Sequence, residues 1–281
     1  MAIRKISLAY AAGFIDGDGS VFVQAPNDIL VCAANSHREV LEPFKRSFGG
    51  SIGPPRADFR NPSWRPMNTW VKAINKTGSF LKVLEPHLIL KKQQAKLGLE
   101  LVRRKSVDVR TPLGRPYGWS SMSTREREER EKIKSKISKL NNLPCTCPHV
   151  GNPSLEYLAG LFDAEGCVTV TKARKEKTTC TIFVNVSNRC WWILEQIKLR
   201  FGGSVGDGHG TYQWQASARI AERFLRALLP SLVLKQERAK NALKLYDIVD
   251  GKQFRTWAPN RLAAVYAIRK RAMELNRKGV A

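Results

Sequence analysis

Acidic residues are scarce in this chain. Its 281 residues include 24 Asp+Glu against 48 Lys+Arg, a net charge of +24. Such a surface repels itself unless an anionic partner neutralises it, which points to nucleic acid first and an anionic membrane second. Long apolar runs are absent too. No stretch reaches the roughly 18 apolar residues a transmembrane helix needs, so no membrane span is expected. The opening "MAIRKISLAYAAGFIDGDG" has a basic start and a short apolar run. Acidic residues follow too soon, and no A-x-A pattern closes the run, so it does not read as a signal peptide. Cysteines are few and scattered, six in all. That usage fits a reducing, intracellular compartment; nucleoid, chloroplast and mitochondrion all remain open. Cys145, Cys147 and His149 in "CTCPHV" have C-x-C spacing and no second pair nearby, so they read as a connector and not as a zinc site.

What the chain does have is a repeat. "LAYAAGFIDGDGSVFV" (8–23) matches "LEYLAGLFDAEGCVTV" (155–170), pairing Asp18 with Glu165 at an offset of 147. "NSHREVLEPFKRSFGGSIG" (35–53) matches "NRCWWILEQIKLRFGGSVG" (188–206) at 153, and "TWVKAINKTGSFLKVLEPHLILKKQQAKLGLEL" (69–101) matches 213–245 at 144. The drifting offsets place insertions in loops: the basic "KARKEKTTC" in the second copy and the Pro- and Arg-rich "PPRADFRNPSWRPMN" in the first. The reading is two copies of one domain, 1–143 and 154–281, joined by a linker at 144–153.

Each copy changes period along its length. Residues 7–16 are apolar throughout, with small Ala9, Ala12 and Gly13, which suits a helix buried on most sides. After Gly19 the pattern alternates, Val21 and Val23 on one face, Ser20, Phe22 and Gln24 on the other. "ILVCAAN" and "NTWVKAIN" read as strands, and "HREVLEPFKRSFGG" as a helix ended by glycine with Pro43 in an early turn. Helices follow around Pro86. The fold class is therefore α+β, each copy holding a small antiparallel sheet covered by helices on one face. The other face is left free. In the second copy it is predicted to carry Thr169, Thr171, Thr181, Asn185, Gln213 and Gln215, hydrogen-bonding side chains suited to base edges. Lys172, Arg174, Lys175 and Lys177 extend that DNA-facing set. The first copy adds Ser20, Phe22, Gln24, Arg56, Arg60, Arg65 and Thr69.

Against this basic background "DGDG" is an acidic knot. An EF-hand loop starting at Asp16 would need Gly at its sixth position and Glu at its twelfth, where Val21 and Asn27 stand. Asp16 and Asp18 also fall at the C-terminal end of the predicted helix, where the helix dipole opposes them. Residues placed against local stability are often held for function. The knot recurs, with Asp163 for Asp16 and Glu165 for Asp18. If the repeats pack through their small-residue helices, Asp18 and Glu165 come together. Paired carboxylates in a phosphate-binding protein make a site for divalent metal, which can activate water against a phosphodiester.

The segments "AGFIDGDG" and "AGLFDAEG" resemble the signature of the LAGLIDADG homing endonucleases, and two copies resemble the single-chain, pseudo-symmetric form. "FGG" and the segments "LILK" and "LVLK" extend the resemblance over nearly the whole chain. It implies two αββαββα domains whose saddle-shaped sheets line the DNA major groove, packed through the signature helices. It implies a monomeric, intron-encoded type of enzyme that hydrolyses both strands of a long asymmetric double-stranded DNA site and leaves 3′ overhangs. The implied metal ligands are Asp18 and Glu165 with the carbonyls of Gly17 and Ala164, and the metal is Mg²⁺ or another divalent ion such as Mn²⁺. Asn35, Asn188, Lys91 and Lys235 are the implied water-ordering or transition-state-stabilising groups. Asn35 and Asn188 are also good helix N-caps, and Lys92 competes with Lys91. Asp16 and Asp163 are expected to tie down structure. An RNA maturase or a non-cutting DNA-binding regulator on the same fold is the alternative; the regulator reading expects a lost carboxylate, and both carboxylates are present.

Overall fold

A computed structural model describes residues 5–24, 28–57, 65–72, 77–106, 123–143, 145, 147, 151–172, 180–208, 210–249 and 259–276. The chain divides into two compact units, Met1–Gly151 and Asn152–Ala281. The first contains α1 (Leu8–Asp18), β1 (Gly19–Gln24), β2 (Asp28–Asn35), α2 (Arg38–Phe48), β3 (Ser51–Ile52), β4 (Asn68–Lys72), α3 (Thr77–Leu84), a 3₁₀ turn (Glu85–His87), α4 (Lys92–Ser106) and α5 (Thr124–Asn142). The second repeats the order with α6 (Leu155–Glu165), β5 (Gly166–Lys172), β6 (Cys180–Asn188), α7 (Trp191–Phe201), β7 (Ser204–Gly208), β8 (Thr211–Ser217), α8 (Ala218–Leu228), α9 (Gln236–Val249) and α10 (Pro259–Asn276). Each unit is thus the expected αββαββα motif with two further helices. The sheets are antiparallel, ordered β1-β2-β4-β3 and β5-β6-β8-β7.

The repeated sequence builds the same local devices twice. Ser7 and Ser154 cap α1 and α6, their hydroxyls accepting from the Tyr10 and Tyr157 N–H groups at 3.1 and 3.2 Å. Both helices lack a polar face and are buried from Tyr10 to Asp16 and from Tyr157 to Asp163. On the sheets, alternate residues point to the helices: Val21, Val31, Ala33 and Trp70 in one unit, Val168, Val184, Val186 and Trp214 in the other. The indole N–H of Trp70 donates to the Gly49 carbonyl at 2.8 Å, and that of Trp214 to Gly202 at 2.9 Å, so each core tryptophan also satisfies a helix end. The second glycine of each "FGG" is required twice over. Gly50 and Gly203 have φ of +89° and +93°, and a Cβ there would lie 2.6 Å from the carbonyl oxygens of Val71 and Gln215. The last helix of each unit is pinned to its first strand: Asn141 donates to the Val21 carbonyl at 3.1 Å, and Asn276 to that of Val168 at 2.7 Å.

Two details depart from the sequence reading. Pro43 lies inside α2, because that helix starts only at Arg38; the proline is buried and costs α2 one N–H donor past its first turn. The strand β3 covers only Ser51–Ile52, where its counterpart β7 runs Ser204–Gly208. Beyond β3 an isolated bridge between Arg56 and Met67 continues the hairpin, with bonds of 2.9 and 2.8 Å. No helix among the described residues is long and apolar enough to cross a membrane.

Candidate functional site

The two carboxylates of each acidic knot have different surroundings. Asp16 is buried and turned into its own unit. Its Oδ2 accepts from the Ile89 and Leu90 N–H groups at 2.8 and 2.9 Å, and its Oδ1 from the Lys91 N–H at 2.9 Å. Asp163 repeats this on Val233, Leu234 and Lys235 at 2.7, 3.0 and 2.8 Å. Three backbone donors fill one carboxylate and offset the unfavourable position at a helix C-terminus. Asp16 and Asp163 therefore anchor the "LILK" and "LVLK" segments to the signature helices. Asp18 and Glu165, two residues on, are the last residues of α1 and α6 and only half-buried.

The glycine after each carboxylate turns helix into strand in one step. At Gly19 a Cβ would lie 2.6 Å from the Ile15 Cα and 2.7 Å from the Cys32 carbonyl; at Gly166 it would lie 2.1 Å from the Phe162 ring. No side chain fits, so β1 and β5 leave directly from the carboxylate-bearing ends. Gly17 and Ala164 lie in the last helical turn, where carbonyls lack intrahelical donors.

Asn35 and Asn188 end β2 and β6 and are buried on the helix-facing side of their sheets. They are not the N-caps of α2 and α7; those positions are His37 and Cys190, and neither makes a side-chain cap bond. Their Oδ1 atoms instead accept from the His37 and Cys190 N–H groups at 3.0 and 2.8 Å, closing a turn before the helix. This leaves the Asn35 amide nitrogen aimed at Asp18, 3.5 Å from Oδ2. Lys91, and not Lys92, is at the signature helix. Its ammonium donates to the Ile15 and Asp16 carbonyls at 2.9 and 2.5 Å, while Lys92 reaches the Pro86 carbonyl at 3.4 Å and Glu85 at 4.0 Å. The Lys235 ammonium likewise donates to the Asp163 carbonyl. The first unit so brings together, at one helix end, a carboxylate, an amide and an ammonium from three separate segments; in the second, the Lys235 ammonium reaches the same helix end and Asn188 repeats the turn-closing bond of Asn35.

The predicted contact residues of the second unit share one face. Thr169, Thr171, Thr181, Asn185, Gln213 and Gln215 alternate with buried core residues, and the register sets Thr171 beside Thr181 and Asn185 beside Gln215. Lys172 is exposed at the end of β5. In the first unit Ser20, Phe22, Gln24 and Thr69 also lie away from the core, Arg56 is exposed and Arg65 half-buried. Arg60, Arg174, Lys175 and Lys177 lie outside the described residues.

Two cations escaped the sequence reading. Arg269 of α10 shares with Lys172, Thr169 and Thr171 a cleft of about 400 Å³ along β5. Its Nε is enclosed and lacks a hydrogen-bond partner among the described residues. Arg238 of α9 is partly buried, and desolvation lowers its pKa against the opposing effect of Cys167 and Asp163. Both sit on helices whose pattern reports only a packed apolar face, so nothing in the sequence marked them.

No family model matches the chain, and no curated protein matches it in sequence. Its fold has close counterparts among solved structures. I-SmaMI bound to uncleaved DNA target in the presence of calcium ions superposes with a TM-score of 0.69 at 17% identity, over 95% of this chain and 98% of that one. The LAGLIDADG homing endonuclease I-GzeII in complex with DNA target gives 0.68 at 14% identity, over 95% and 98%. I-LtrWI bound to target DNA gives 0.68 at 15%, over 94% and 96%. I-SmaMI bound to cleaved DNA gives 0.65 at 15%, again over 94% and 96%. This chain has the two-domain fold of the LAGLIDADG homing endonucleases.

Proposed function

We propose that the protein is a site-specific DNA endonuclease that cuts both strands of a long asymmetric duplex site, acting as a monomer. The observation that carries this is the duplicated helix end. In each unit a half-buried carboxylate, Asp18 or Glu165, closes a helix and leads without a linker into a strand whose outer face is free of the core. A group that can serve a reaction is so tied covalently to a surface that can hold the substrate. The net charge of +24 supplies the attraction to DNA, and the structural counterparts include enzymes held on DNA targets.

The donor set fits a hard divalent cation. It consists of carboxylate oxygens with the neighbouring carbonyls of Gly17 and Ala164, the ligand chemistry of Mg²⁺ or Mn²⁺. A divalent ion bound there supplies an activated water and neutralises charge on the scissile phosphodiester. Asn35 and Asn188 orient the carboxylate and the attacking water by hydrogen bonding. Lys91 and Lys235 keep the helix-end carbonyls in place and put positive charge where the phosphate gains negative charge. Lys172 and Arg269 hold backbone phosphate beside the second sheet.

With one carboxylate serving each strand, Asp18→Asn and Glu165→Gln should each convert double-strand cutting into nicking, of opposite strands. The check is a supercoiled plasmid carrying the site, incubated with Mg²⁺ and resolved as nicked and linear forms. Unimpaired linearisation by either variant contradicts the assignment. A maturase or a silent regulator would bind nucleic acid without cutting in this assay.

A further inference from the structure

The two sheets match in register but differ in chemistry. In the second unit the row of outward residues nearest the helix end runs Cys167, Asn185, Gln215, Ser204 across the strands, followed by Ser187 and Gln213. Gln213 Nε2 lies 3.3 Å from the Ser187 hydroxyl. The same positions in the first unit hold Ser20, Cys32, Val71, Ser51, then Ala34 and Thr69. Two amides are thus replaced by a thiol and an isopropyl group, and a Ser–Gln pair by Ala–Thr. Farther out, Phe22 stands beside Leu30 where the second unit has Thr169 beside Phe183. Leu30 is only 5% exposed and offers no edge to a ligand; Phe22, Cys32, Ala34 and Val71 are half-buried and do. Burial raises the Cys32 pKa, although Lys91 opposes it, so the thiol faces a ligand as a neutral, weakly polar group.

In the major groove the only apolar feature of a base edge is the C5-methyl of thymine, whereas Asn and Gln pair with adenine N6 and N7. We infer that the two faces select by different contacts: the first sheet recognises thymine methyl groups through Phe22, Cys32, Ala34 and Val71, and the second recognises purine edges by hydrogen bonds from Asn185, Gln213 and Gln215. This rests on the reading of the protein as a DNA endonuclease. It adds that the site is chemically lopsided, with one half-site fixed by thymines and the other by hydrogen-bonding pattern. A second protein covering the apolar face is the competing occupant. The row nearest Asp18 argues against it, since that row continues from the carboxylate that must meet DNA.

The test uses single-atom changes in the DNA. A cut site is first selected from a randomised duplex library with Mg²⁺. Gln215→Ala then identifies the half-site read by the second unit, as the half whose base preference relaxes. Each thymine is replaced by deoxyuridine, which removes only the methyl, and each adenine by 7-deazaadenine, which removes only N7. Affinity is measured without divalent metal. Deoxyuridine should weaken binding about fourfold per contacted thymine in the first half-site, and in the second only at a base reached by the half-buried Phe183. 7-Deazaadenine should weaken binding at the adenines read by Asn185, Gln213 and Gln215 in the second half-site, and in the first only at a base reached by the exposed Gln24. Val71→Gln should abolish the deoxyuridine effect at one position and introduce a preference for adenine there. Equal sensitivity of both halves, or a Gln215→Ala variant with unchanged preferences, overturns the inference and leaves the endonuclease reading intact. A dimer dispersed by Val71→Gln, with cutting preferences unaltered, overturns it in favour of the competing occupant. Failure of the wild type to bind or cut any duplex removes the endonuclease reading itself, and this inference with it.

Discussion

Two carboxylates separated by one residue do unlike work here. Asp16 has its oxygens filled by the N–H groups of residues 89–91, and Asp163 by those of 233–235. Removing either leaves several backbone donors unsatisfied, at roughly 1–3 kcal/mol apiece before the loop relaxes. Asp16→Ala is therefore expected to lower unfolding stability by about 3 kcal/mol, read as a fall in the urea midpoint at unchanged m-value. Asp18→Asn should leave the unfolding free energy within about 0.5 kcal/mol of wild type while losing cutting of one strand. Equal destabilisation by the two substitutions would contradict this division. The repeat alone pairs Asp16 with Asp163 and Asp18 with Glu165, but the partners that tell them apart lie some seventy residues along the chain.

At the scale of elements, each unit depends on a tryptophan that fills the core and closes a helix end. Trp70 has Phe44 and Phe80 at 5.3 and 5.7 Å between ring centres, and Trp214 has Phe224 at 4.7 Å. Trp214→Ala should cost about 3–5 kcal/mol, and Trp214→Phe less, losing chiefly the bond to Gly202. Thermal unfolding by tryptophan-independent circular dichroism would show the order; a Trp214→Ala protein as stable as wild type would refute it. These elements were legible because alternation in "DGSVFV" and "GCVTV" has a period a helix cannot share. Less legible was where α2 begins. Pro43 suggested an early turn, yet burial of Val40, Leu41 and Phe44 holds the proline inside the helix. The Asn141 and Asn276 clamps were not legible at all, because a side-chain amide at the end of an amphipathic helix carries no mark of the strand carbonyl it will meet. At the candidate site, the sequence exposed the duplicated carboxylates but not Arg269, which acquires its setting only when α10 packs on β5.

Across the whole molecule the charge imbalance survives folding. Most ion pairs among the described residues join neighbours on one helix, such as Lys132 with Glu129 and Arg226 with Glu222, so the few acids are largely spent locally. Cations outnumber acids two to one, and binding to a polyanion should fall steeply with salt. If about six phosphates are neutralised, affinity for a duplex drops on the order of 10³-fold between 50 and 200 mM salt. Replacing Lys172 and Arg269 together with alanine should flatten the log–log slope by about two, whereas Lys132→Ala, already paired, should leave it unchanged. Fluorescence anisotropy over a salt series reads both slopes. A weak salt dependence would mean that the charge serves some other partner.

The central claim is that Asp18 and Glu165 make this basic, duplicated fold an enzyme that cuts DNA at a defined site. Its most direct test is to incubate the protein with a randomised or genomic duplex library and Mg²⁺ and to sequence the ends produced. The account predicts one long asymmetric consensus with a short 3′ overhang of fixed length, absent when metal is chelated and absent from the Asp18→Asn/Glu165→Gln double variant. No cuts by the wild-type protein, or the same cuts by the double variant, would contradict it.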